Sequence, residues 1–377
     1  MKMAKLSFWA AAGLLAYTHA GYGGVLAVLA RRRGATPGSP ARSGAALPTV
    51  SVIVAAYAEE GVIADRVANL RGLDYPLAAL EVIVVCDGSP DATAARARQA
   101  GADVVLELPR GGKVRAQDTA VAGARSKVVA FSDANVSWER DALRELVAPF
   151  ADPRVGYVCG QVRFVNDAGT NQEGLYWRYE MWLRGLESRV RSVTGGNGAI
   201  YATRRESYIV VDAIMGHDLS FPFTMVKRGW RAVYAPAARA SEKMVPTIEG
   251  EFARKRRMMS HGWPIMIRGG MLSPRGYDPV YALMIVSHRV LRYGSPALHV
   301  IALGASLALL RDGPVYVIAL VLQAVLLAAA LAAPVLPARP LLVARYYVLT
   351  TASLAAGLWD WLAHGTHVGW EPAAGTR

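Results

Sequence analysis

Four short apolar runs in this chain each end on polar side chains able to hold a charged ligand. Val50–Ala56 is followed by Tyr57, Glu59 and Glu60, and the run ending at Cys86 by Asp87-Gly88-Ser89-Pro90-Asp91. The run ending at Leu108 leads into Pro109-Arg110-Gly111-Gly112-Lys113, and that ending at Ser132 into Asp133-Ala134-Asn135. Asp133 and Asn135 offer the hard oxygen atoms that a divalent cation prefers, and Lys113 offers a cation for phosphate. Each residue also has an ordinary structural use. Ser89, Asp91, Asn135 and Ser137 stand where helix N-caps would, Gly111-Gly112 suits a turn, and Lys113 suits a solvated first helical turn. Caps alone do not require that strand ends bearing Asp, Lys and Asp converge on one edge.

Convergence depends on the elements behind them. Val50–Ala56, Glu81–Cys86, Asp103–Leu108 and Lys127–Ser132 read as buried strands. Between them, Glu59–Arg71 has Val62, Ile63, Val67 and Leu70 at helical spacing, and Asp91–Ala100, Lys113–Ala124 and Glu139–Pro149 also read as helices. This alternation predicts an α/β domain with a parallel sheet covered on both faces. Such sheets bind ligands beyond the carboxyl ends of their strands.

The 377 residues are 53% hydrophobic and carry a net charge of +13, with a mean hydropathy of +0.23. The charge calls for an anionic partner. It clusters at membrane edges, and no nucleic-acid recognition motif accompanies it, which argues against nucleic acid. Cys86 and Cys159, both inside apolar runs, read as core residues, and no Cys/His spacing suggests zinc. From Leu6 to Ala30 the chain is apolar enough to span a bilayer. Arg31-Arg32-Arg33 follows in place of a signal-peptide cleavage site. Three further spans are expected, at Pro296–Leu310, Val315–Val335 and Leu341–Leu362, the first of them short. The basic flank after the first span, with Arg42, outweighs Lys2 and Lys5 and puts the following segment in the cytoplasm. Four spans would then leave both termini outside. Gly34–Pro48 reads as a flexible tether, Tyr176–Val190 as core or interface packing, and Trp359, Trp361 and Trp370 as interface anchors.

The ordered series of motifs resembles the membrane-integrated glycosyltransferases of family 2, inverting GT-A enzymes related to cellulose, hyaluronan and chitin synthases and exopolysaccharide transferases. Val52-Ile53-Val54-Ala55-Ala56-Tyr57-Ala58-Glu59-Glu60 is similar to the family's nucleotide-binding first strand. Asp87-Gly88-Ser89-Pro90-Asp91 is similar to its second-strand motif, Gly112-Lys113 to its Gly-Lys, and Asp133-Ala134-Asn135 to its Asp-x-Asp. Thr194–Arg205 resembles the acceptor-side loop and following strand, and Gly216-His217-Asp218 the segment with the catalytic base. Arg254-Lys255-Arg256-Arg257-Met258 resembles its Gln/Arg-x-x-Arg-Trp. Ala58 replaces the usual Asn, Asn135 the second Asp, His217 an acidic residue and Met258 the Trp.

The resemblance implies an α/β, GT-A (Rossmann-like) cytoplasmic domain with one N-terminal and about three C-terminal transmembrane helices. The implied boundaries are 1–33 for the first span, 34–48 for the linker, 49–245 for the transferase domain, 246–294 for interfacial helices, 295–364 for the later spans and 365–377 for a tail. Asp133 and Asn135 are the implied ligands of Mg2+ or Mn2+. Tyr57, Glu59, Asp87 and Lys113 would hold a nucleotide-diphosphate sugar, a UDP-sugar favoured. Arg254 and Arg257, three apart on one helical face, would meet its phosphates, with Lys255 and Arg256 facing headgroups or water. Asp218 is the implied general base, and Gly196, Asn197 and His217 lie on the acceptor side; His217 as base, metal ligand or modulator of Asp218 ranks lower. The implied activity is sugar transfer at an inner or plasma membrane to a lipid-linked or glycan acceptor, in bacterial surface polysaccharide synthesis. Membrane lipids are implied partners and oligomerisation is left open. A processive synthase and an inactive membrane scaffold are the alternatives.

Overall fold

The computed structural model describes residues 1–32, 47–165, 174–243, 245, 247–366 and 368–369. The tether up to residue 46, Arg33, Arg42 and Trp370 lie outside the described residues. A long apolar helix, α1 (Lys2–Arg31), comes first. The expected alternation follows: β1 (Val50–Ala56), α2 (Ile63–Arg71), β2 (Leu80–Asp87), α3 (Thr93–Gln99), β3 (Val104–Leu108), α4 (Lys113–Gly123) and β4 (Val128–Asp133). A tight turn enters β5 (Val136–Trp138), then α5 (Ala142–Val147), β6 (Val155–Val165), α6 (Gly174–Val190), β7 (Tyr201–Arg204), α7 (His217–Lys227) and β8 (Arg231–Lys243). Five helices complete the described chain: α8 (Ile248–Ile267), α9 (Pro279–Ile285), α10 (Ser295–Ala308), α11 (Pro314–Ala332) and α12 (Arg339–His364), with a short helical segment through Tyr293 continuing α9.

The strands form one sheet in the order β3-β2-β1-β4-β7-β6-β8-β5. The expected parallel arrangement holds for β3-β2-β1-β4. Beyond β4 the strand–helix repeat stops, and β7 pairs antiparallel with both β4 and β6, so the sheet is mixed. Alternation along β1 explains why both faces are covered. Val52 and Val54 pack with Ile63, Val67 and Leu70 of α2 and with α3 and α5. Ile53 and Ala55 pack on the other face with Ala116 and Ala120 of α4 and Phe221 and Met225 of α7. A separate core joins Tyr22 and Leu26 of α1 to Leu183 and Leu186 of α6, Trp263 of α8 and Leu354 of α12. Cys86 and Cys159 are buried free thiols.

By length and composition α1, α11 and α12 can cross a membrane. The expected additional span, α10, has 14 residues. At 1.5 Å per residue that is about 21 Å, short of a hydrocarbon core of about 30 Å. Trp359 is exposed but Trp361 is buried in the third core, its ring under the Arg268 guanidinium at 5.2 Å. Trp361 therefore packs helices together and is not a free interface anchor.

Candidate active site

The polar strand ends meet. Asp133 closes β4, Lys113 opens α4, and their side chains form an ion pair. A methyl group on Gly198 would lie 3.4 Å from Lys113 Nζ and 3.7 Å from Asp133 Oδ2, so the glycine-rich turn before β7 rests on this pair. The next strand end works differently. Asp87 is 1% exposed, and its carboxylate accepts from the N–H groups of Gly111 at 2.6 Å and Gly112 at 2.9 Å and from Arg110 Nη1 at 3.3 Å. Asp87 thus shapes the loop that delivers Lys113. The Arg110 guanidinium lies 3.2 Å over the Tyr57 ring, leaving a cation and an aromatic side by side at the end of β1. Gly112 takes φ +93°, a left-handed conformation that favours glycine.

Glu59 is buried, and its N–H donates to Thr93 Oγ1 at 2.9 Å; it belongs to the joint between β1 and α3. Ala58 has φ +52°, which Asn adopts more readily than Ala. The backbone there still has the shape that the family's Asn would suit. Asn197 builds its turn, donating to the Gly160 carbonyl at 2.7 Å and accepting from Ala199 and Ile200 N–H. Gly196 N–H donates to the Asp218 carbonyl at 2.6 Å, which fixes that turn to the first turn of α7. His217 is 3% exposed, stacked on Phe221 at 4.0 Å and bonded through Nδ1 to the Tyr201 hydroxyl at 2.8 Å. Burial, with the nearby Lys113 charge, lowers its pKa to about 3. It lies beneath the site as a neutral aromatic, while Asp218 remains half-buried beside it.

Arg254 forms a two-armed pair with Glu251, both bonds 2.7 Å, and its charge reaches Glu242. Arg257 is exposed on the same helix. Lys255 and Arg256, expected to face headgroups or water, also dock α8 on α12, with Arg256 still exposed. Lys255 bonds Tyr346 Oη at 2.9 Å, and Arg256 pairs with Asp360 at 2.6 Å.

Two residues of this region escape the sequence reading. Glu242 lies opposite Val136 in the β5–β8 pairing. It is bonded by Asn135 and acted on by Asp133, Arg254 and Lys113. Burial first and the Asp133 charge second push its carboxyl up to about 7. A signal was present: Ala238, Ala240 and Glu242 alternate onto one face of β8, and both alanines are fully buried. Arg66 is 2% exposed, donates to the Val136 carbonyl at 3.1 Å and feels the Asp133 charge. It sits three residues after Ile63 and four before Leu70, on the apolar face of α2. The donors around Asp133 are carboxylate and amide oxygens, a set that fits Mg2+ or Mn2+ and not a soft metal.

A mixed α/β sheet with acidic, basic and glycine-rich strand ends gathered at one edge defines a GT-A-like nucleotide-sugar-binding fold. Residues 51–211 match the family model described as Glycosyl transferase family 2. The matched segment includes Tyr57, Asp87, Lys113, Asp133 and Gly198 and stops short of Asp218, Glu242 and Arg254. The β-monoglucosyldiacylglycerol synthase of Synechocystis is 34% identical over 163 residues, 41% of this chain and 33% of that one. An N-acetylglucosaminyltransferase of Rhizobium meliloti is 29% identical over 216 residues, 51% of this chain and 50% of that one. The chain thus spans between a third and a half of the length of these curated relatives. Among solved structures, a mannosyltransferase of Pyrobaculum calidifontis in complex with GDP-Man and Mn2+ is 25% identical. Its TM-score is 0.73, with 94% of this chain and 98% of that one covered.

Proposed function

We propose that this protein transfers a sugar from a nucleotide-diphosphate sugar to a lipid or lipid-linked acceptor at a membrane face. The observation that carries the reading is the meeting of Lys113, Asp133 and Gly198 beside the turn that Asp218 holds. Tyr57 and Arg110 form the platform for the nucleoside, with Asp87 setting the loop. Lys113 and Arg254 neutralise the diphosphate as the sugar–phosphate bond breaks. Asp218 accepts the proton of the acceptor hydroxyl as that oxygen bonds to the anomeric carbon, a role worth about 10²–10⁴-fold. Asp133 and Asn135 would hold Mg2+ or Mn2+, which when bound supplies further charge stabilisation to the leaving diphosphate.

A membrane acceptor is supported by the neighbourhood of the site. Arg254 belongs to α8, and α8 is bolted along α12, one of the helices long enough to cross a bilayer. A lipid-borne hydroxyl would reach Asp218 from that side. The relative from Synechocystis carries a glycolipid synthase name, in keeping with this choice. The site would open to the cytoplasm, as the basic flank of α1 favours.

The test is nucleotide release from UDP- and GDP-sugars by the purified full chain with Mn2+, with membrane lipid extract as acceptor. Asp218→Asn is expected to retain nucleoside-diphosphate binding and to lose at least about 10²-fold in turnover. Normal turnover in that variant would remove Asp218 as the base, and absence of release with every donor would favour a scaffold.

A further inference from the structure

We infer that Glu242 is the second carboxylate of the divalent-cation site, standing in for the acid that the strand-end loop lacks at Asn135. The inference rests on the transferase reading above and names one more residue of the same site. Three observations lead to it. The first is a deficit: Asp133-Ala134-Asn135 supplies one carboxylate where an oxygen-seeking divalent cation is commonly held by two. The second is position. Antiparallel pairing of β5 with β8 sets Glu242 opposite Val136, the residue next to Asn135. Asn135 bonds the Glu242 side chain directly, and the Asp133, Lys113 and Arg254 charges all bear on it. Four of the residues expected around the diphosphate therefore have Glu242 as a common neighbour.

The third observation is electrostatic. Glu242 follows two fully buried alanines on one face of β8 and approaches a second carboxylate. Placing two half-buried acids together is unfavourable unless positive charge shared by both offsets it. Lys113 meets this need at Asp133 when no ligand is bound. With a nucleoside diphosphate present, a cation between Asp133 and Glu242 would free the Lys113 ammonium for phosphate. Asn135 then has two uses: its amide orients Glu242, and its carbonyl remains a neutral oxygen donor. Among the described residues no set of three or more His, Cys, Asp or Glu side chains gathers as a metal cage. Two carboxylates plus phosphate oxygens would complete the coordination, so cation and nucleotide bind together.

The experiment measures Mn2+ binding by electron paramagnetic resonance on the detergent-solubilised full chain, with and without UDP or GDP. Glu242→Gln is expected to weaken Mn2+ binding at least tenfold in the presence of nucleotide. Its ligand-free thermal midpoint should stay at or above that of the parent, because the close approach of two half-buried acids is relieved. The double variant Asn135→Asp/Glu242→Gln, which returns the carboxylate to the loop, should recover most of the lost affinity. A purely structural role for Glu242 would lower the midpoint and would not be rescued by Asn135→Asp. If Glu242→Gln fails to fold, Glu242→Asp carries the test, since it keeps the charge and withdraws it by one methylene. Parent-like Mn2+ binding in a folded Glu242 variant would overturn the inference while leaving the transferase reading intact. Absence of Mn2+-linked nucleotide binding in the parent protein would instead overturn the reading on which it rests.

Discussion

His217 makes the protein sensitive to acid in a way that its neighbours do not. Burial against Phe221 and Tyr201 holds its pKa at about 3, below the ordinary histidine value of 6.5. The unfolded chain therefore takes up this proton first as pH falls, so folding stability is full above about 6.5 and declines from there towards about 3. The linkage amounts to roughly 2 kcal/mol between pH 6.5 and 5. His217→Phe, which keeps the stack on Phe221, should flatten that part of the stability–pH curve in chemical denaturation. It should also cost about 1 kcal/mol at neutral pH through the lost Tyr201 bond. An unchanged slope would mean that the imidazole takes up its proton at the same pH folded and unfolded.

At the scale of elements, the pair α8–α12 decides where the basic helix presents its charges. Trp263 Nε1 donates to the Leu354 carbonyl at 2.9 Å, Arg256 pairs with Asp360, and Gly357 lets the backbones close. A methyl group on Gly357 would lie 2.6 Å from Met259 Cβ and 2.8 Å from the Arg256 carbonyl. Small residues at helix crossings serve this purpose in membranes. Gly357→Leu should force the helices apart and cost roughly 1–3 kcal/mol, read as a lower thermal midpoint in detergent. Because α8 also carries Arg254, donor KM should rise more than kcat falls. A variant with parent stability and kinetics would show that the crossing does not position the site.

At the scale of the whole molecule, the number of crossings after the transferase domain sets where the chain ends. Two crossings, by α11 and α12, would bring it back to the domain's side, whereas three would leave it opposite. The contacts agree with two: Thr366 Oγ1 donates to the Ser260 carbonyl at 2.8 Å, and Val368 packs on Gly112 beside Lys113. A cysteine replacing Val368 should react with an impermeant maleimide from the same side as one introduced on the exposed surface of α3. Labelling from opposite sides would restore a membrane-crossing α10.

The sequence by itself determined the elements of the first half-domain and the order of its polar strand ends. Apolar alternation and helical spacing are local properties, and glycine and proline mark the breaks between them. It also put Lys113 and Asp133 at one edge of the sheet, since parallel strands send their carboxyl ends to one side, while their ion pair came from the fold. What only the tertiary structure decided depends on partners distant in sequence. Sheet pairing brings Glu242 to Asn135 across more than a hundred residues, and packing buries His217, Asn197 and Asp87 among groups that no local pattern names. Helix docking turns Lys255 and Arg256 towards α12. Hydropathy already marks α10 as the short one of the later apolar runs, and the structure sets its length at 14 residues. Burial and charge are sums over neighbours, and the fold chooses the neighbours.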